Sequence, residues 1–269
     1  MSEFTNHNFG VVGRCIYCGS TKDLSDEHII PYGLGGKSVL EKASCKRCAS
    51  ITSQFEKEVL RETYFEFRNS MNFPTRNKQN RPESILINVE TNDGEIKELT
   101  IPSQEHPGFL PMIEFEEPGI LVGRDDNTLQ VIGASLHGDR ERIEKFCNKY
   151  NIKKITCSAP YSHSFARLLA KAALGYTIGC HSIENLEQNY VVPYILDRKK
   201  EGISKYVGTA KDKIIDGNKI DHRAIFAYNQ NGEILIRMKL FASYDTPEYL
   251  VIAGKLKKAA WSSICLSQG

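Results

Sequence analysis

Two Cys-x-x-Cys units, Cys15-Ile16-Tyr17-Cys18 and Cys45-Lys46-Arg47-Cys48, stand 26 residues apart near the start of a 269-residue chain and constrain its folding more than any other feature. A two-residue gap lets both thiolates of a knuckle reach one tetrahedral ion at about 2.3 Å. Two such pairs in a reducing compartment therefore predict one structural Zn²⁺ held by Cys15, Cys18, Cys45 and Cys48. A disulfide pair is disfavoured by that compartment, and a redox role by the duplication of the unit and the lack of a preceding βαβ pattern. The other four cysteines, Cys147, Cys157, Cys180 and Cys265, are single and read as small buried hydrophobes.

The compartment follows from the first ten residues, MSEFTNHNFG, which lack a basic-then-apolar leader pattern and predict a cytoplasmic protein. The longest stretches without Asp, Glu, Lys or Arg are 12 residues, such as Ala172 to Ile183. That is short of the roughly 20 apolar residues that cross a bilayer, so no membrane partner is expected. Lys+Arg 35 against Asp+Glu 33 leaves +2, too balanced to announce a nucleic-acid or acidic partner from bulk charge. Any such partner must show itself locally.

Between the knuckles, Glu27-His28-Ile29-Ile30-Pro31 reads as a short strand-forming run ending in a Gly/Pro-rich loop with Gly35-Gly36, and a helix is expected to start near Cys45. Through Cys15, Cys18, Glu27, His28, Ile29, Ile30, Pro31, Gly35, Gly36, Cys45 and Cys48, about 55 residues strongly resemble the HNH endonuclease family. The resemblance implies a ββα-metal fold between two zinc knuckles and metal-dependent hydrolysis of DNA phosphodiester bonds. It also implies His28 as the general base and Glu27 as a ligand of a catalytic Mg²⁺ or another divalent cation. The chemistry agrees, because hydrolysis needs a base working near neutral pH and a cation to offset charge on the phosphate. Adjacent strand residues point to opposite faces, so Glu27 needs a bend or bulge to reach the metal while His28 faces the water. Asp26 is the weaker substitute ligand.

Two residues depart from the family pattern. Its His or Asn on the helix after the second knuckle is Ala49 here, and Ser38 to Ser44 contains no Asn. Thr52 shares the helical face of Ala49, and Glu56 lies a turn further along it. Three outcomes stay open: a metal with more water and fewer protein ligands, a different ligating residue, or a zinc-dependent module that binds nucleic acid or protein without cutting.

Past Cys48, apolar residues at helical spacing predict one long helix to about Asn69. Arg68, Arg76, Lys78 and Arg81 follow with no acid between Arg68 and Arg81, which points to phosphate contacts or to a solvated loop. Residues 1–82 carry +3 and the remainder −1. The predicted class is α+β: a small zinc-bound ββα-metal module over residues 1–82, then a mixed α+β domain over residues 83–269. In the latter, Ser84–Glu90 and Glu95–Ile101 read as a hairpin; Gly119–Val122, Thr128–Ala134, Lys154–Ser158, Arg223–Tyr228, Glu233–Phe241 and Tyr249–Ala253 as strands; and Asp139–Tyr150 and Ser162–Ile178 as helices. His106, His137, His163, His181 and His222 lack metal-ligand spacing and read as structural, and the mixed charges from Arg198 to Lys219 as a solvated surface. A module with such a tail looks like bacterial or phage nucleases of a defence or restriction type, which implies DNA as partner. RNA is the alternative, and the tail's roles include target recognition, regulation or homodimer formation.

Overall fold

The protein was studied as a computed structural model that describes residues 8–125, 128–157, 160–215 and 222–267. Strands β1 (Asn8–Val11), β2 (Leu24–His28) and β3 (Val39–Cys45) form a sheet in the order β1-β3-β2, with β1 parallel and β2 antiparallel to β3. Helix α1 (Lys46–Glu58) leaves β3 directly, so the second Cys-x-x-Cys unit is the strand-to-helix joint. The ββα order is the one the resemblance implies. The run expected as a strand over residues 27–31 ends at His28. Pro31 then opens a 3₁₀ turn that Gly35 closes at φ 84°. At Gly36 a Cβ would sit 2.0 Å from the Ile30 carbonyl oxygen, which explains the glycine pair: the chain returns too close to itself for a side chain.

The expected single helix to Asn69 is instead three pieces. A π-helical turn over Val59–Thr63 separates α1 from α2 (Phe65–Ser70), and Tyr64 between them adopts φ −113°, ψ 18°. The wider turn adds a residue, which brings Tyr64 inward, edge-on to Phe165 and Phe241.

Beyond residue 82, β4 (Ser84–Thr91) and β5 (Ile96–Pro102) make the expected hairpin. They are followed by β6 (Leu110–Phe115), α3 (Gly119–Val122), β7 (Val131–His137), α4 (Arg140–Tyr150), β8 (Ile152–Thr156) and α5 (Ser162–His181). Gly119–Val122 was expected as a strand and is a helical turn. Four apolar residues cannot set a period, and Pro118 before them and left-handed Gly123 after them enclose one turn. Asp139 caps α4, the helix expected there, accepting from the Arg142 amide at 2.8 Å. The chain ends with β9 (Leu186–Asn189), α6 (Val192–Ile195), β10 (Val207–Thr209), β11 (Arg223–Tyr228), β12 (Glu233–Lys239), β13 (Glu248–Leu256) and α7 (Lys258–Ser267). Strands β10-β13-β12-β11 form an antiparallel sheet, with β9 also on β13. Ser158 and Lys219, named in the expectations above, lie outside the described residues.

Helix α5 is the centre of the molecule, with 14 buried residues from Ser164 to Ile178. It joins Ile29, Leu40 and Phe55 of the first module to Phe115, Ile236 and Val251 of the later sheets in one continuous core. The change of sequence pattern at residue 82 is therefore not a break in packing. A satellite core holds Ile85, Val89, Phe146 and Ile152 under the β4 hairpin. The single cysteines are less buried than expected: Cys147 and Cys180 are half-buried and Cys157 is exposed past the end of β8, while the Cys265 side chain lies outside the description. Among the described residues, no helix is long and apolar enough to cross a membrane.

Candidate metal centre and nucleic-acid cleft

The two knuckles meet. The Sγ atoms of Cys15, Cys18, Cys45 and Cys48 lie within 4.8 Å of one another, with Cys18 and Cys45 at 3.6 Å. Tetrahedral Zn–S bonds of about 2.3 Å place sulfurs about 3.8 Å apart, so the donor set fits zinc. Burial raises the Cys45 thiol, but the Cys48 amide and the neighbouring cysteine side chains outweigh it and bring it down to about 7. At Cys15 and Cys48 burial dominates and raises the thiols.

From this anchor, β2 carries Glu27 and His28 across the molecule. The β2–β3 register shifts between Ser25 and Glu27, the irregularity that a Glu27 turned inward requires, and Asp26 is spent on the Lys42 amide at 3.0 Å. Glu27 is buried, yet it does not wait for a metal: its Oε1 is 2.7 Å from the Nζ of Lys171, which projects from α5. The same ammonium lies 2.8 Å from Glu56 Oε1 on α1 and donates to the His28 carbonyl. Burial opposes the charge of Lys171, but Glu27 and Glu56 more than offset it and hold the lysine protonated. The buried Tyr17 hydroxyl sits beside both carboxylates, and burial followed by their charges drives its pKa well up.

The placement of Lys171 follows from helix periodicity. Ser164, Arg167, Lys171 and Gly175 recur at three- and four-residue spacing along one face of α5. Ser164 donates to Glu58, Arg167 lies over the Phe55 ring at 4.6 Å, and Lys171 meets Glu56, so this face tracks α1. At Gly175 a Cβ would be 3.0 Å from the Ile29 side chain, so the glycine admits β2 close enough for Lys171 to reach Glu27 one turn earlier.

The His28 ring is half-buried, edge-on to Tyr32 at 6.0 Å. Burial first, then the charges of Lys171 and Arg76, lower its pKa against the opposing Glu27 and Glu56, which favours neutral imidazole at pH 7. Tyr32, Glu56 and Arg76 belong to the wall of an adjoining cleft of about 640 Å³ that also includes Lys57, Arg61, Arg68 and Arg81. Among the described residues none of these five cations is in an ion pair, and the one carboxylate of the wall, Glu56, is paired with Lys171, which it shares with Glu27. The expected basic segment divides here. Arg68 donates to the Gly33 and Leu60 carbonyls at 2.6 and 2.8 Å and Arg81 to Phe73, so both brace the wall. Burial and the nearby Arg81 and Arg61 push Arg68 down to about 10, a sign of uncompensated positive charge. Arg76 is exposed on the wall, whereas Lys78, also exposed, is not part of it.

Residues 15–65 match the HNH endonuclease family. The span covers both knuckles, Glu27, His28 and Glu56 and stops short of Lys171. No curated protein and no solved structure significantly matches the chain.

The HNH family implies a catalytic divalent cation beside the base, and the matched residues of this chain do not fit one as they stand. Ala49 offers no donor, Thr52 is tied to the Ala49 carbonyl at 3.2 Å, and Glu27 is held by Lys171. A divalent ion placed about 4 Å from that ammonium would meet a repulsion of about 8 kcal/mol at an effective dielectric of about 20. Glu27, expected as a metal ligand, is one arm of a buried ion triad with Lys171 and Glu56. Sequence reasoning missed Lys171, Tyr17, Lys57 and Arg61. The available signal for Lys171 was one charge inside the apolar run from Leu168 to Ile178, a residue type almost never buried unless paired.

Proposed function

We propose that this chain is an HNH-type endonuclease acting on DNA, with His28 as the base that takes a proton from the attacking water. The carrying observation is a half-buried imidazole biased to its neutral form beside a cleft whose five cations lack acidic partners among the described residues. Unpaired guanidinium groups side by side repel one another, and a phosphodiester backbone relieves that repulsion while releasing counterions. Arg61 and Arg76 are placed to hold the backbone, and Arg68 and Arg81 to keep the wall in shape. A cytoplasmic defence or restriction setting belongs to the same reading by analogy.

A second reading is favoured by one observation, the Lys171 ammonium on Glu27 together with Ala49 on the helix. In that reading the cleft retains DNA and does not cut it. Plasmid nicking with Mg²⁺ or Mn²⁺ separates the two. Nicking by wild type that His28→Ala abolishes, at an unchanged circular dichroism spectrum, supports the endonuclease. Clean wild-type protein that retains plasmid and nicks with neither metal supports binding alone.

A further inference from the structure

We propose that Glu27 and Glu56 form a single cation seat, that the Lys171 ammonium is its resident cation, and that a divalent ion enters only when Lys171 is withdrawn. Glu56 is then the helix ligand missing at Ala49, moved seven residues along α1.

Four observations carry this. Both carboxylates converge on one point, the Lys171 Nζ, at 2.7 and 2.8 Å. Lys171 and Glu27 are dry, their side chains 1% and 8% exposed, while Glu56, at 21%, borders the cleft. Tyr17, 5% exposed, brings a hydroxyl beside the same two carboxylates, a third oxygen at the seat. The charges do not balance: two carboxylates face one ammonium, so the seat holds a net −1 that a divalent ion would turn into +1 if lysine stayed and into 0 if lysine left. Hard divalent cations take oxygen donors of this kind, and Mg²⁺ or Mn²⁺ binds with one or two carboxylates plus water. A resident ammonium and an incoming ion are therefore alternatives, and lysine, tethered on α5, is always at hand.

The consequence joins the two parts of the chain. The lysine comes from a helix outside the matched HNH span, so whatever moves α5 relative to β2 sets whether the seat is open. The inference rests on the endonuclease reading for the purpose of the seat, while its occupancy is measurable without any cutting.

The test is Mn²⁺ binding by full-length, zinc-loaded protein, read by electron paramagnetic resonance of free Mn²⁺. Wild type is expected to show no saturable site dependent on Glu27, and Lys171→Met to bind one Mn²⁺ per chain. Lys171→Met/Glu27→Gln and Lys171→Met/Glu56→Gln are expected to lose that site by at least tenfold in affinity. Lys171→Gln serves as the second variant if the methionine protein does not fold. Wild type that binds one Mn²⁺ and loses it with Glu27→Gln overturns the proposal, and this arm decides even if neither lysine variant folds. A folded Lys171 variant that binds none also overturns it. Plasmid nicking runs in parallel: Mn²⁺ bound by Lys171→Met without nicking keeps the seat and removes the endonuclease reading, so the two can fail separately.

Discussion

Replacing Lys171 with methionine tests the energetics of the buried triad. Methionine nearly conserves the volume and leaves the helix intact, so cavity and propensity effects stay small. What remains is the loss of an ammonium 2.7 and 2.8 Å from two carboxylates in a site where the lysine is 1% exposed. Breaking a buried pair from one side costs about 3–5 kcal/mol, because the partner is left charged and dry. Here two partners are left beside each other, which places Lys171→Met near the upper end, about 5 kcal/mol. For a chain of this length roughly 2 °C accompanies each kcal/mol, so the melting temperature should fall by about 10 °C. Neutralising the partners removes the stranded charge, and Lys171→Met/Glu27→Gln/Glu56→Gln should recover most of the loss. The assay is urea unfolding followed by circular dichroism, with zinc held constant and other divalent ions absent. A cost for Lys171→Met below about 1 kcal/mol, or a triple variant no more stable than the single one, refutes the reasoning.

Cys45→Ala should release about one zinc per chain by elemental analysis and unfold the sheet around the knuckles, because zinc binding there is folding free energy; full zinc retention would count against the four-cysteine centre. Arg61→Ala with Arg76→Ala should reduce the slope of log affinity against log salt for duplex DNA by about 1.8 in total if each arginine meets one phosphate, and an unchanged slope returns both to the solvated surface. His106, buried against Phe109 and Phe146, is pushed down to about 4 by burial and then by Arg142. Above about pH 6.5 both folded and unfolded forms are neutral there. Below it only the unfolded chain takes up the proton, so stability should fall between about pH 6.5 and 4, by roughly 3 kcal/mol. Urea midpoints across that range should flatten in His106→Gln, and an equally steep loss in the variant would assign the effect elsewhere.

Local features were legible in the sequence wherever the cause is local. The Cys-x-x-Cys spacing, the Asn92-Asp93-Gly94 turn between β4 and β5 and the Asp139 cap each rest on residues within a few positions of one another, and each is in the structure. Gly119–Val122 and the broken helix after Cys48 failed for a different reason. Their forms are decided by flanking backbone and by distant aromatic partners such as Phe165 and Phe241, which periodicity cannot register. The site shows the same division. Glu27 and His28 could be found from the motif, but the ammonium that holds one and donates to the carbonyl of the other lies 143 residues from His28. The arginine segment was found as a charge run, yet which arginines face the cleft and which brace it depends on carbonyls at Gly33, Leu60 and Phe73.

The same long-range placement limits how the seat can open. Lys171 lies between Arg167, which covers Phe55, and Gly175, which lies against Ile29, so its backbone is fixed by packing on both sides. Withdrawing the ammonium by a change of side-chain rotamer would strand a charge among Leu168, Ala172 and Leu174, all fully buried, which is far costlier than leaving it on Glu27 and Glu56. Opening thus needs α5 to shift against α1 and β2 as a body, or a ligand that binds the open form more tightly. Moving an equilibrium from 1:99 to 99:1 takes about 5.5 kcal/mol of differential affinity. Glu56 belongs both to the seat and to the cleft wall, so an occupant of the cleft is in contact with the seat and is placed to supply that difference.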